Sequence, residues 1–598
     1  MPPDPRVPLP VGKVISRMGL PATPRGVSDT LDLVRVNTPI LEDHRPVAES
    51  LEWRLAALHW TRAGVLPFAD QDVPYIVNNS GRLSVNAAVL LFEHLEEVRP
   101  QGRITVLELG AGTGLFARYL IDAFTAICQE QGRDYHERLT YVVSDFSQRT
   151  VEHWRERGIF ADDGDTVVLR RCDAQAPDLP AEAGGDVHAV FCNYVLDILP
   201  ASVVRRDAGG LRELHVRTRL NADAAVLRSV TTLEASEIQA FVATGDPEKL
   251  AELVPLANLF DFETQFLPAS PQVMRFADAL GDFAPDLDTF LVNHGALETL
   301  HRLAGLVHPD GFILVNDYGP VRTEQMAEQS FPQRFGPTTA FGLNFPLLSH
   351  ALKREGLFIL EPTGDAEASV HARLVQRRAR QRPAFENRFG ADAHSHFEAP
   401  LAEARAHQSA GRQGAALTSY RVALERSRRD WTVLGECAEF VGLAIGDYAA
   451  GVELARAAVE INPWYSPWLW NVLGDCLYCQ ERFAEAHEAY LQASRINPRD
   501  VRTGLNLAYT FSQRGDCYAA LESIARALAH DGGGPYRQRL IERQQQILLQ
   551  IEGRRLAAQD QLARRARRLG PDTATALAPT PPLPRDTQPA AQPSAESD

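Results

Sequence analysis

The sequence predicts an α/β sheet domain with a long insertion, followed by an all-helical repeat array. Three observations carry that reading. From Ile104 to about Arg378, short apolar strands alternate with helical stretches, the order expected of a parallel sheet with crossover helices. The interval from Pro200 to His308 is too long for one crossover and holds its own strand candidate, "LRELHVRTRL", so it reads as an inserted subdomain. From about Leu401 the pattern is helical, and Ile461-Asn462-Pro463 recurs as Ile496-Asn497-Pro498.

The elements follow in order. Residues 1–45 are Pro-rich and read as a flexible arm. Residues 46–380 form the sheet domain, with the insertion at about 205–300. Its first part, "SLEWRLAALHWTRAG" and "SVNAAVLLFEHLEEV", has apolar residues at helical spacing. The strands read are "ITVLEL", "TYVVSD", "TVVLRRC", "VHAVFCN", "GFILVND" and "SVHARLVQ". Residues 381–400 read as a linker, 401–535 as helical repeats and 536–570 as a polar capping helix. Residues 571–598 hold few bulky apolar side chains and many Pro and Ala, a composition that stays disordered.

Composition narrows the function. The chain has 598 residues and a formal net charge of −16, which argues against a dedicated nucleic-acid binder. Its lysines are Lys13, Lys249 and Lys353, so arginine supplies nearly all the positive charge. Seven irregularly spaced cysteines fit reduced thiols better than a disulfide framework. Cys476 and Cys479 make one isolated C-x-x-C, which falls short of a zinc site, and no metal is expected. No apolar run approaches the ~18 residues of a membrane span, and the N-terminus lacks the apolar core of a secretory signal. A cytoplasmic protein is expected, with no membrane or nucleic-acid partner; its oligomeric state stays open.

The most informative stretch is "VLELGAGTGLFARYL", Val106 to Leu120. A phosphate-binding P-loop would need G-x4-G-K-[ST], and no lysine is near. A dinucleotide turn would need G-x-G-x-x-G, but the third place is Leu115. What stands here is an acid ending a strand, then G-x-G-x-G: Glu108, Leu109, Gly110, Ala111, Gly112, Thr113, Gly114. A carboxylate is unfavourable beside a pyrophosphate and favourable beside an ammonium.

This motif resembles the first motif of class I S-adenosylmethionine-dependent methyltransferases, which implies a Rossmann-like sheet and S-adenosyl-L-methionine as cofactor. The resemblance assigns Glu108 to the ammonium side and Gly110, Ala111, Gly112, Thr113 and Gly114 to the methionyl and ribose parts. A Cβ on those glycines is expected to intrude on the cofactor. Asp145, at the end of "YVVSD", would take the ribose hydroxyls, and Phe146 would pack on the adenine. Asp173, with Ala174, would meet the adenine amino group. Asn193, at the end of the fourth strand, would face the methyl.

Within that class, "CNYVLDILPASVVRR" and "FILVNDYGPV" resemble segments of the MidA-like family. That family includes complex I assembly methyltransferases that modify arginine in a protein. Tyr194 stands where the family has Glu. The candidates nearest the methyl are Asn193, Tyr194 and Asp197. The Asn193 carbonyl could grip an amine, Tyr194 could cover a cation face, and Asp197 could orient or deprotonate the acceptor. Asp317 reads equally as a sheet-end anchor, and His350 as a packed histidine on a helix.

In the helical part, Trp470-x2-Leu473-Gly474, then Ala486-x3-Tyr490-x2-Ala493 and Pro498, resemble the tetratricopeptide pattern. Stacked copies form a solenoid whose groove receives a protein or peptide partner. Three functions are therefore weighed: a protein methyltransferase with a recruiting array, a small-molecule O- or N-methyltransferase with an array for docking or oligomerisation, and a non-catalytic scaffold that keeps the cofactor fold.

Overall fold

The computed structural model describes residues 38–65, 68, 80–178, 186–222, 224–326, 333–335, 338–368, 370–531 and 533–569. Residues 1–37 of the expected arm and the whole of the expected tail, 571–598, lie outside these residues. The chain divides into two units, Met1–Gln480 and Glu481–Asp598.

The first unit opens with β1 (Ile40–Pro46). Four strands of the main sheet then follow in sequence: β2 (Ile104–Leu109), β3 (Leu139–Asp145), β4 (Val167–Arg171) and β5 (Asp186–Asn193). The insertion contributes β6 (Ser202–Asp207), β7 (Gly210–Leu220), β8 (Phe260–Pro268) and β9 (Thr289–Val292). The chain returns through β10 (Val307–Asp317), a hairpin of β11 (Gln333–Phe335) and β12 (Thr338–Ala340), and finally β13 (Phe358–Leu360) and β14 (His371–Gln376).

The main sheet has the order β13-β14-β10-β5-β2-β3-β4. β4, β3, β2, β5 and β10 run parallel, and β14 lies antiparallel to both β10 and β13. Every residue of β2 is buried, as expected of a central parallel strand covered on both faces. The chain leaves β2 toward β3 on one side and reaches β5 on the other. The carboxyl ends of β2 and β5 therefore flank a topological switch point, where open α/β sheets bind ligands.

The insertion is a second, antiparallel sheet, β1-β7-β6-β9, with β8 also on β7. Its core joins Leu214, Val216, Phe260 and Phe262 to Leu51 and Leu55 of helix Leu51–Ala63. β1 corrects the expectation of a flexible arm through residue 45. Its sequence, ILEDHRP, lacks apolar alternation, but it pairs with β7 from Ile40↔Arg219 to Pro46↔His215. Glu42 is buried there, accepts the Leu51 N–H at 2.6 Å and pairs with Arg54.

The expected linker, 381–400, is also corrected. It forms helix Pro383–Phe389 and the first part of helix Ala391–Ser409. Pro383 sits in the first turn, where its missing N–H costs nothing, and the Phe385 and Phe389 rings stack at 5.3 Å. Helical hairpins follow: Ala391–Ser409 with Gln413–Arg426, then Trp431–Glu439, prolonged by a π-helical turn at Phe440–Ile445, with Tyr448–Ile461. Helix Pro467–Cys479 closes the unit. Cys476 is buried and Cys479 exposed, both as free thiols.

The second unit contains helices Phe483–Ile496, Val501–Gln513, Cys517–His530 and Arg537–Leu569. Leu505, Ala508, Ile524, Leu540 and Ile547 form its core. No helix among the described residues is long and apolar enough to cross a membrane.

One close approach fixes the loop beyond β10. Gly319 has φ 145°, and a Cβ there would overlap the backbone nitrogen and carbonyl of Leu343. The Leu343 N–H donates to the Tyr318 carbonyl at 2.6 Å. Gly319→Ala should therefore destabilise the protein by about 2–4 kcal/mol, from overpacking plus backbone strain. Urea unfolding would measure it, and a change below about 0.5 kcal/mol would refute the close approach.

Candidate functional site

The glycine turn links β2 to helix Leu115–Glu130. Gly110, Gly112 and Gly114 all have positive φ, at 62°, 52° and 77°. Three left-handed residues in five suit glycine alone. A Cβ at Gly110 would press on Val195, at Gly112 on the Phe68 ring, and at Gly114 on Trp154 and Phe160. The glycines are thus required by the protein's own packing, whereas the sequence suggested that a cofactor alone demanded them.

The turn's polar groups are tied one by one. The Ala111 N–H donates to the Ser144 carbonyl at 2.9 Å, and the Gly114 N–H to the Ala111 carbonyl at 2.9 Å. The Gly112 N–H donates to Asp145 Oδ2 at 3.1 Å. The Gly112 carbonyl accepts the Trp154 indole N–H at 2.9 Å, and the Thr113 carbonyl accepts the Tyr465 hydroxyl at 2.7 Å.

Glu108 lies beneath the turn, buried, and accepts the Tyr141 hydroxyl at 3.1 Å. Burial pushes its carboxyl up to about 8, with a smaller contribution from Asp145. A cation beside it would reverse that shift. Asp145 ends β3; its Oδ1 accepts the Ser147 N–H at 2.9 Å, and burial pushes it up to about 6. Each of its oxygens carries one backbone N–H, which leaves accepting capacity on both. Phe146 is 42% exposed, with the Arg171 guanidinium 5.4 Å from its ring centroid. Asp173 is exposed and accepts the Gln175 N–H, while Ala174 is buried.

The ends of β5 and β10 supply the other wall. Asn193 Oδ1 accepts from Asn316 Nδ2 at 2.8 Å, so it is the Asn193 amide nitrogen, rather than its carbonyl, that is buried without a partner. Tyr194 has φ 53°, a rare conformation for a bulky residue. Its N–H donates to the Asn316 carbonyl at 2.9 Å, and its ring lies 4.9 Å from that of Tyr318. The Tyr194 hydroxyl and Asp197 Oδ1 are likewise buried; the Tyr318 hydroxyl neighbours that of Tyr194, and neither atom meets a partner in good hydrogen-bond geometry.

Asp317 accepts the N–H groups of Leu196, Asp197 and Tyr318 at 3.1, 3.2 and 2.9 Å. Burial raises the carboxyls of both Asp197 and Asp317. Two buried acids this close share one proton more readily than they both ionise. Asp317 is thus the anchor that orients the Asp197 backbone. His350 instead meets Asp282 Oδ1 at 3.0 Å, beside the Phe283 ring. Trp154, Tyr465 and Asn316 were not singled out in the sequence. Trp154 could have been sought on the helix after Asp145; Tyr465 carried no local signal.

Sheet order, switch point and glycine turn define a Rossmann-like α/β domain of the class I methyltransferase type. Residues 87–340 match the family model described as "Putative S-adenosyl-L-methionine-dependent methyltransferase", and residues 467–500 match the tetratricopeptide repeat model. S-adenosyl-L-methionine is the cofactor of the matched family. The solved structures similar to this chain include a Burkholderia thailandensis protein bound to S-adenosyl-homocysteine. It is 18% identical, with 54% of this chain and 75% of that one covered and a TM-score of 0.36. A thermophilic tetratricopeptide protein of Thermus thermophilus is 23% identical, covering 28% of this chain and 89% of its own, with a TM-score of 0.24. No curated protein matches the sequence.

The raised acids make stability depend on pH. Glu108 keeps its proton in the folded state up to about 8 but loses it near 4.5 when unfolded. Above 4.5 the native state binds more protons, so stability falls as pH rises through 8. The buried histidines His94, His153 and His188 are held low by burial, and their opposite effect is complete above about pH 6.5. Between pH 6.5 and 8, in the absence of ligand, stability should drop by about 1–2 kcal/mol from Glu108. Glu108→Gln should reduce that slope in urea titrations by Glu108's share, leaving the contributions of Asp197 and Asp317, and an unchanged slope would place the titration elsewhere.

Proposed function

We propose that this protein transfers a methyl group from S-adenosyl-L-methionine to a basic nitrogen of a protein, with arginine the acceptor that the MidA-like resemblance implies. The observation that carries this reading is the set of three unpartnered buried polar atoms at the carboxyl end of β5: Asn193 Nδ2, Tyr194 Oη and Asp197 Oδ1. Buried polar groups are ordinarily paired, so each orphan asks for a ligand atom. They lie beyond the strand that neighbours the glycine turn, and Val195 among them packs against Gly110.

The residues fit the cofactor. Glu108 offers a buried carboxyl to an ammonium, and Asp145 has accepting capacity for ribose hydroxyls. Phe146 offers an exposed face to an adenine, with Asp173 and Ala174 at its edge. When bound, S-adenosyl-L-methionine supplies an electrophilic methyl on a cationic sulfur.

The protein's part is to align the acceptor and manage its proton. Tyr194 and Tyr318 present adjacent rings suited to a cationic group. Burial raises both Asp197 and Asp317, and Asp197, pushed up to about 7, can exchange a proton near neutrality. The missing family Glu at position 194 leaves this pair as the acidic group nearest the Tyr194 ring. The array would recruit the protein acceptor or a partner, and a cytoplasmic location suits this role.

Full-length protein incubated with labelled S-adenosyl-L-methionine and cell lysate tests the proposal. Label in a protein band is expected. Label confined to small molecules would favour the small-molecule reading, and no transfer despite cofactor binding would favour a scaffold. With an acceptor in hand, Asp197→Asn should lower kcat by about 10²–10⁴-fold while S-adenosyl-homocysteine affinity stays within about threefold. A normal kcat in that variant would remove Asp197 from the mechanism.

A further inference from the structure

The helical array reaches the glycine turn. Within Met1–Gln480, the segment between helices Tyr448–Ile461 and Pro467–Cys479 packs against the helix that starts at Leu115. Tyr465 is 2% exposed. Its hydroxyl donates to the Thr113 carbonyl at 2.7 Å, and its ring lies 5.7 Å from that of His153. The elbow is itself braced, because Asn462 Oδ1 accepts the Tyr465 N–H at 3.2 Å. A separate bond joins the same surfaces farther along, from the Tyr119 hydroxyl to the Ile461 carbonyl at 3.0 Å.

The peptide unit between Thr113 and Gly114 is held at both ends. Its N–H is tied inside the turn, to the Ala111 carbonyl. Its carbonyl is tied by Tyr465. Because Gly114 has no Cβ, rotation of this peptide meets little steric resistance. Without the hydroxyl, the Thr113 carbonyl loses the bond that ties it to the helical array, and the turn can relax. The other loop carbonyl held by a side chain, that of Gly112, is secured by Trp154 of the sheet domain.

We propose that Tyr465 is a positioning residue for S-adenosylmethionine: the helical array completes the cofactor turn by fixing the Thr113 carbonyl. This rests on the reading of the turn as the cofactor site. It makes the array part of the binding machinery, and an enzyme truncated before it would hold its turn less firmly.

The test is titration calorimetry of the full chain with S-adenosyl-homocysteine, comparing wild type, Tyr465→Phe and Tyr119→Phe. Both variants delete one hydroxyl at the same packed surface, but only Tyr465 touches the turn. Tyr465→Phe should weaken binding about threefold to tenfold, the scale of one lost hydrogen bond. Tyr119→Phe should bind like wild type. Amide exchange at Gly114 and Leu115 should accelerate in Tyr465→Phe alone, with thermal midpoints of the two variants alike. Equal affinity and equal exchange in Tyr465→Phe and wild type would overturn the proposal, as would equal losses in both variants. Failure of the wild type to bind would instead overturn the reading of the turn itself.

Discussion

The structure depends on a turn that cannot hold itself. Gly110, Gly112 and Gly114 all take left-handed backbone within five residues, so the segment gains neither helical nor strand pairing. Apart from the Gly114 N–H, which the Ala111 carbonyl accepts, its polar groups are satisfied from outside. Ser144 and Asp145 of β3 take two N–H groups, Trp154 takes one carbonyl and Tyr465 another. The turn's shape is thus set by three neighbouring elements, one of them in the helical array. The same glycines also admit Val195, Phe68 and Trp154 at contact distance.

Around the turn, burial does most of the electrostatic work. Glu108, Asp145, Asp197 and Asp317 all hold their protons more tightly than exposed acids do. Four raised acids at the carboxyl ends of adjacent strands are costly to ionise without a cation. Such a site favours positively charged ligands, because a cation relieves the penalty that burial imposes. A sulfonium cofactor and a basic acceptor are both of that kind, which ties the two halves of the proposed reaction to one physical cause.

The sheet was largely legible in the sequence. Its six strand candidates are all strands, and the central parallel ones, β2, β3, β5 and β10, read as continuous apolar runs because they are buried on both faces. The expected strand "LRELHVRTRL" is β7 of the insertion. Glu108, Asp145 and Asn193 stand at strand ends, where polar residues follow apolar runs, so their positions could be read from the sequence. β1 was hidden because its buried member is Glu42, whose partners Leu51 and Arg54 come later in the chain. Helix Pro383–Phe389 was hidden because proline and charge resemble a linker. The Tyr465 contact joins residues far apart in sequence, and no local pattern encodes it. The orphan atoms of Asn193, Tyr194 and Asp197 are visible only when every neighbour is in place.

In the proposed function the Gly110–Gly114 turn and Asp145 cradle S-adenosyl-L-methionine at the switch point between β2 and β5. A crystal structure grown with S-adenosyl-homocysteine tests it most directly. Density for the ligand is expected along the turn, with ribose hydroxyls on Asp145 and the amino acid end toward Glu108. Ligand density at another place in the chain, or a turn region empty at saturating ligand, would contradict it.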